Sequence, residues 1–200
     1  MTRALILVDV QNDFCPGGAL AVERGDEIVP FLNEIQLDFD LLVATQDWHP
    51  EEHGSFAANH EGKAVGEFIK LRELDQILWP VHCVQGSVGA EFHSGLDMRR
   101  VEAIFRKGMD PLVDSYSGFF DNGRLKSTAL KDYLLGKGVK EVAVAGLATD
   151  YCVKFTAMDA LESGFQTSLL TRGCRGVNLK PGDVDKAISE MRSHGIRVLS

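Results

Sequence analysis

The residues of this 200-residue chain best suited to chemistry are a cysteine, two aspartates, a lysine and a cluster of histidines. Cys152 lies in Glu141–Leu161, where Val142-Ala143-Val144-Ala145 reads as a buried strand. Gly146 breaks that run. Thr149 and Asp150 are helix-starting residues ahead of the spaced apolar positions Val153, Phe155, Ala157, Met158 and Leu161. Cys152 is therefore expected in the first turn of a helix, where unpaired N–H groups and the positive dipole end favour thiolate over thiol. A free cysteine is more often a packed core residue, and that reading serves for Cys83 and Cys174. Cys152 differs because the chain offers it partners: Asp9 as a base and Lys107 as a cation that steadies the charges. Taken singly, Asp9 reads as a strand-end carboxylate and Lys107 as a solvated lysine; their joint placement is what counts.

A second group is Asp47-x-His49, with His53 close behind and His82 in Trp79-Pro80-Val81-His82-Cys83. Carboxylate and imidazole are sound ligands for a divalent ion, and residues two apart in extended chain share a side. Such a set suits zinc, iron or manganese and leaves coordination positions open. By itself an Asp-x-His pair is equally a turn. Phe14 and Trp79 lie beside these groups and are placed to wall a flat aromatic ligand, although large aromatics more often belong to the core. His60, His93 and His194 read as ordinary loop or surface residues.

These residues need a scaffold that brings them together. Ala4–Val8, 40–44, 104–106, 142–145, 166–170 and 196–199 read as strands. Helices are expected at 26–37, 95–103, 125–135 and 183–194, besides the one carrying Cys152. Residues 51–95 form a loop-rich insertion, of the kind that is usually functional. Alternating strands and helices build parallel βαβ units, whose ligands bind beyond the carboxyl ends of the strands. Asp9, Asp47, Lys107 and Cys152 each sit at or just past such an end. Four useful side chains from four strands thus converge on one rim. The fold expected is an α/β single domain over 1–200, with a mostly parallel sheet of six strands flanked by helices on both faces.

Composition narrows the function. Hydrophobic residues at 44% and charged residues at 25% are ordinary globular values and exclude disorder. A net charge of −8 argues against nucleic acid or an anionic membrane as partner. The N-terminal apolar run is short and broken by Asp9, so neither a signal nor a membrane span is expected. Four cysteines without a C-x-x-C pair point to reduced thiols in a cytoplasmic protein. A glycine-rich phosphate loop and a G-x-S-x-G elbow are both missing.

The segments LILVDVQNDFCPGGAL, TQDWHPEEHGSF, ILWPVHCVQGSVGAEFH, IFRKGMDPLVDSYSGF and GLATDYCV resemble those of nicotinamidases, within the isochorismatase-like cysteine hydrolases. The resemblance runs in order from Leu5 to about residue 176. It implies a six-stranded parallel sheet, a catalytic triad of Asp9, Lys107 and Cys152, and metal ligands Asp47, His49 and His82. His53 matches a position that ligates metal in some members only. Phe14 and Trp79 would sandwich a pyridine ring, with Tyr116 bordering the pocket. A cis peptide is implied at Leu147–Ala148, aiming the N–H groups of Ala148 and Cys152 at an oxyanion. The implied activity is hydrolysis of nicotinamide to nicotinate and ammonia through a thioester, with pyrazinamide as a further substrate and one divalent metal, zinc before iron or manganese. Three alternatives stand beside it. They are a hydrolase of another small amide such as a carbamoyl or ureido compound, a thiol redox protein, and a silent binding module. Nothing in the sequence decides between a monomer and a homo-oligomer.

Overall fold

The computed structural model describes residues 2–200. In chain order its strands are β1 (Thr2–Val8), β2 (Leu41–Asp47), β3 (Phe68–Leu71), β4 (Leu74–Ile77), β5 (Val101–Lys107), β6 (Val139–Leu147), β7 (Gln166–Arg175) and β8 (Arg197–Leu199). The α-helices are α1 (Val29–Ile35), α2 (Leu130–Gly136), α3 (Lys154–Glu162) and α4 (Asp183–Ser193). None of the described helices is long and apolar enough to cross a membrane.

Six strands make one parallel sheet in the order β5-β2-β1-β6-β7-β8. The central strands are nearly all apolar because both faces are covered: Ala4–Val8 has no exposure at all, and every residue of β2 is buried. Each fully buried Leu, Ile or Val stabilises the fold by roughly 1.5–3 kcal/mol. Edge strand β5 alternates half-buried and exposed residues until it reaches buried Lys107. The chain leaves β1 toward β2 and leaves β6 toward β7, so the connections run in opposite directions. Right-handed crossovers then place α1 on one face and α2, α3 and α4 on the other, and α3 and α4 touch each other there. Between β1 and β6 the two directions diverge and open a crevice above the strand ends.

Register decides what meets in that crevice. Asp47 pairs directly with Lys107 across β2 and β5, and Thr45 pairs with Val8. Val8 in turn lies opposite Gly146 on β6. Gly146 has φ +136, and a Cβ there would overlap the carbonyl oxygen of Val8, so the two central strands approach this closely only around a glycine.

Several expected boundaries shift. The helix expected over 95–103 is absent: Gly95–Arg100 is turn, held by the Asn33 side chain donating to the Gly95 carbonyl and accepting the Asp97 N–H, and β5 starts at Val101. The helix expected over 125–135 begins only at Leu130, because the Thr128 hydroxyl accepts the Leu130 N–H and Ala129 turns left-handed at φ +70. The segment 26–37 is helical in three pieces: a 3₁₀ turn, α1, and a second 3₁₀ turn. Inside the insertion, β3 and β4 form an antiparallel hairpin that alternation alone did not reveal.

Replacing Gly146 by valine is expected to cost more than about 3 kcal/mol, read as a lower urea midpoint with an unchanged slope. A shift of a few tenths of a kcal/mol would mean that the strands relax around the side chain.

Candidate active site

Lys107 ends β5 with a fully buried ammonium group. Its Nζ donates to Asp47 Oδ1 at 2.6 Å, to the Ser115 carbonyl at 2.9 Å and to Cys152 Sγ at 3.4 Å. Those bonds use its three protons. Asp9 Oδ2 lies 3.0 Å from the same nitrogen as an ion pair without a directed hydrogen bond, so it keeps its capacity to accept a proton. The other Asp9 oxygen accepts a short bond from the Thr45 hydroxyl, 2.6 Å, which orients the carboxylate. Asp9 follows β1 directly at φ +47, in the left-handed region, and its N–H reaches the Thr45 carbonyl. A carboxylate oxygen of each aspartate and the Cys152 sulfur all lie within 4.8 Å of one another.

Charge follows from this geometry. Burial opposes the Lys107 cation, but Asp47 and Asp9 overcome it and hold its pKa well above the ordinary value. Burial alone would raise Asp47; Lys107 and His49 instead hold it well below the ordinary carboxylate range. Asp9 goes the other way, raised by burial against the pull of Lys107 and with the push of Asp47. Burial also drives the Cys152 thiol well above its usual value, against the pull of Lys107 and with Asp9 adding to it. Cys152 sits in a wide π-type turn, Thr149–Val153, ahead of α3, so burial acts against the pull toward thiolate expected from its place at a helix start. The resting pair is a protonated thiol beside a carboxylate of raised pKa.

The second group lies immediately alongside. Asp47 Oδ2 is 3.4 Å from His49 Nε2 and 3.8 Å from His82 Nε2. Each histidine bonds a backbone carbonyl through Nδ1, that of Gly108 for His49 and that of Pro80 for His82, both at 2.8 Å. A carbonyl only accepts, so each Nδ1 carries a proton, and in the neutral ring each Nε2 is left free to ligate, the arrangement metal-bound histidines use. Without an ion, burial opposes the charged form of His49 but Asp47 raises its pKa. Gly108 (φ +67) lies so near that a Cβ would overlap the His49 ring. One carboxylate and two imidazole Nε2 atoms converging on one point fit a divalent ion. His53 stands apart: it groups with His49 and Asp114, not with Asp47 and His82. Burial and neighbouring His49 push its pKa down to about 4, so it is neutral near pH 7.

One cavity joins both groups. Phe14, Trp79, Tyr116, Asp47, His82, Ala148 and Cys152 line it, so the aromatic residues singled out from the sequence do face the reactive ones. The Leu147–Ala148 peptide is cis. Four further lining residues were missed: Leu20, Asp114, Tyr151 and Val177. Tyr151 is next to Cys152 and packs edge-on against Trp79, with ring centroids 4.9 Å apart; adjacency to the nucleophile was the available clue. Three positioning residues were missed as well. Thr45 has been described. The Gln11 carboxamide donates to the Asp47 carbonyl and accepts the Asp47 N–H, both at 2.8 Å. Asp13 Oδ2 accepts the Cys83 N–H at 2.7 Å, next to His82.

The isochorismatase domain family matches residues 3–200. Over 199 residues the chain is 51% identical to the nicotinamidase of Escherichia coli strain K12, covering 96% of this chain and 92% of that one. In structure it matches a nicotinamidase and pyrazinamidase of Acinetobacter baumanii with a TM-score of 0.96 at 44% identity, over 100% of this chain and 96% of the other. A pyrazinamidase of Pyrococcus horikoshii in complex with zinc superposes with a TM-score of 0.82 at 41% identity, covering 100% and 99%. Matched by that family model from residue 3 to residue 200 and 51% identical to one of its nicotinamidases, the chain belongs to the isochorismatase domain family.

Proposed function

We propose that this protein is a nicotinamidase, hydrolysing nicotinamide to nicotinate and ammonia and deamidating pyrazinamide as well. One observation carries the reading: a buried cysteine, carboxylate and lysine meet beside a metal-ready Asp47/His49/His82 set, and both groups reach one aromatic-walled cavity through Cys152, Asp47 and His82. The full-length similarity to nicotinamidases supports it over the carbamoyl or ureido alternative.

The proposed roles follow from proton positions. Phe14 and Trp79 hold the flat ring between them, and Tyr116 borders it. Asp9 takes the thiol proton through Oδ2 as Cys152 Sγ bonds to the amide carbon. Lys107 stays protonated throughout and offsets the negative charge passing between sulfur and carboxylate. The N–H groups of Ala148 and Cys152 receive the oxyanion. Asp9 returns the proton to the departing nitrogen, releasing ammonia and leaving a thioester. Asp9 then draws a proton from water, whose oxygen attacks the thioester carbon; nicotinate leaves and the thiol is restored. A divalent ion on Asp47 Oδ2 and the two bare Nε2 atoms would supply a Lewis acid that anchors the ring nitrogen. Zinc is the ion assigned first, with iron and manganese compatible with the same donors. A cytoplasmic setting belongs to the same reading and is supported by four unpaired thiols.

Cys152→Ala is expected to lower ammonia release from nicotinamide by roughly 10⁴-fold or more, while the purified variant still binds the substrate in calorimetry; substantial remaining turnover would remove Cys152 from its role. Asp47→Ala and His49→Ala are each expected to lose bound metal, measured by elemental analysis, together with activity. Full metal occupancy in both would move the metal site elsewhere. In the parent protein, chelation should stop ammonia release and added zinc should restore it.

Thr45→Val removes the bond that orients and favours ionised Asp9. A lost hydrogen bond to a charged group is worth about 1.5–3 kcal/mol, so kcat should fall by about 10–100-fold with KM little changed. The acid limb of the pH profile should move to higher pH, since a carboxylate that loses a donor is harder to ionise. Thr45→Ser, which keeps the hydroxyl, should recover most of the rate; equal loss in both variants would make the role one of packing alone.

A further inference from the structure

Asp150 stands two residues before Cys152, in the π-type turn Thr149–Val153, and is buried. An aspartate at a helix start ordinarily caps its own helix. Here both carboxylate oxygens are directed elsewhere. Oδ1 accepts the Val177 N–H at 2.9 Å and Oδ2 accepts the Asn178 N–H at 2.7 Å, so the turn that carries the nucleophile grips the segment following β7. Bonds from N–H groups to an ionised carboxylate are about twice as strong as neutral ones. Gly176 makes the approach possible, because a Cβ there would press on Asp150 Oδ1 at 2.8 Å and overlap Val184 Cγ2 on α4. Asn178, in the left-handed region at φ +53, then accepts the Asp183 N–H on its side-chain Oδ1 at 3.0 Å, at the start of α4.

What Asp150 holds in place is a wall. Val177 lines the catalytic cavity together with Ala148 and Cys152. It also lines a second cavity of about 450 Å³, bordered by Thr149, Cys174, Asn178, Val184 and Ile188. A half-buried side chain with open space on two fronts is not fixed by close packing, the usual means in a core. The two hydrogen bonds to Asp150 fix it instead. They tie it to the same short turn as the reacting sulfur, so wall and nucleophile keep one spacing.

We infer that Asp150 is a positioning residue that sets the width of the catalytic cavity through Val177 and so restricts the ring substituents an amide substrate can carry. This deepens the nicotinamidase reading and rests on it. A methyl group on the ring carbon facing Val177 meets a wall held by two charge-assisted bonds. With those bonds weakened, the wall is free to retreat into the second cavity. Asp150→Asn weakens them directly: one oxygen becomes an amide donor facing a backbone N–H, which cancels one bond and leaves that N–H unpaired.

The test compares kcat/KM for nicotinamide with that for nicotinamides methylated at each open ring carbon, read as ammonia release by the purified full chain. The parent protein should reject at least one isomer, since a methyl group against a fitted wall is worth about 10–200-fold. Asp150→Asn and Val177→Ala should each narrow that ratio, for the same isomer, by about 10-fold. Partial unfolding lowers all rates together and leaves the ratio alone, so the ratio isolates the wall. An unchanged ratio in Asp150→Asn would overturn the inference, as would a gain on a different isomer in Val177→Ala. A parent that takes every isomer as readily as nicotinamide would overturn it too. Should Asp150→Asn fail to fold, Gly176→Ala keeps the carboxylate but forces a methyl between it and the loop. That variant should narrow the same ratio, and an unchanged value would count equally against the inference. A parent that releases no ammonia from nicotinamide fails earlier, overturning the nicotinamidase reading together with this inference, and is told apart by that.

Discussion

The structure of the site depends on one buried cation. Lys107 carries its charge with no exposure to water, and it does so only because Asp47 and Asp9 stand beside it. Removing either side of such a group leaves an uncompensated charge in a low-dielectric interior, typically a loss of about 3–5 kcal/mol. The arrangement also divides labour between two chemically identical carboxylates. Asp47 takes a direct bond from Lys107 and lies beside His49, and it stays ionised. Asp9 lies near the cation without a directed bond and is left able to gain and lose a proton. One lysine thus holds one carboxylate ionised and leaves the other able to exchange a proton.

The sheet edge supplies these groups, but the segment after β1 holds them in step. Asp9 begins it. Gln11 grips the Asp47 peptide from both sides, Asp13 fixes the backbone next to His82, and Phe14 forms a cavity wall. Four of the six residues from Asp9 to Phe14 therefore supply the raised carboxylate, hold two metal-ready positions and form the aromatic wall. Displacing this segment would disturb proton transfer and ion binding together, which is the physical reason to regard the two groups as one site.

Histidine identity alone does not assign a role here. Three imidazoles within a few ångströms of one another differ in which nitrogen their neighbours occupy. Two meet carbonyl oxygens, and one meets an N–H. A hydrogen bond to one ring nitrogen selects the tautomer of the neutral ring, and so which nitrogen is free to ligate.

The sequence by itself determined the class of fold, the order of its main strands along the chain and which candidate side chains stand at strand ends. Those features are written locally, in dense apolar runs at Ala4–Val8 and Val142–Ala145, and in side chains placed at or just past strand ends. Their joint placement already paired Asp9 and Lys107 with Cys152, and the family resemblance of ordered motifs implied the same three as a triad. Only the tertiary structure decided protonation and support. Burial raises the pKa of the Cys152 thiol against the thiolate-favouring pull read from its helix-start position, and no local pattern encodes that desolvation. Thr45, Gln11 and Asp114 look unremarkable along the chain and matter because register or loop packing brings each to a partner 36 or more residues away. The absent helix at 95–103 and the late start of α2 have the same origin. Side chains of Asn33 and Thr128 satisfied backbone groups that a helix would otherwise have used, and bonds of that kind are settled by three-dimensional proximity rather than by periodicity.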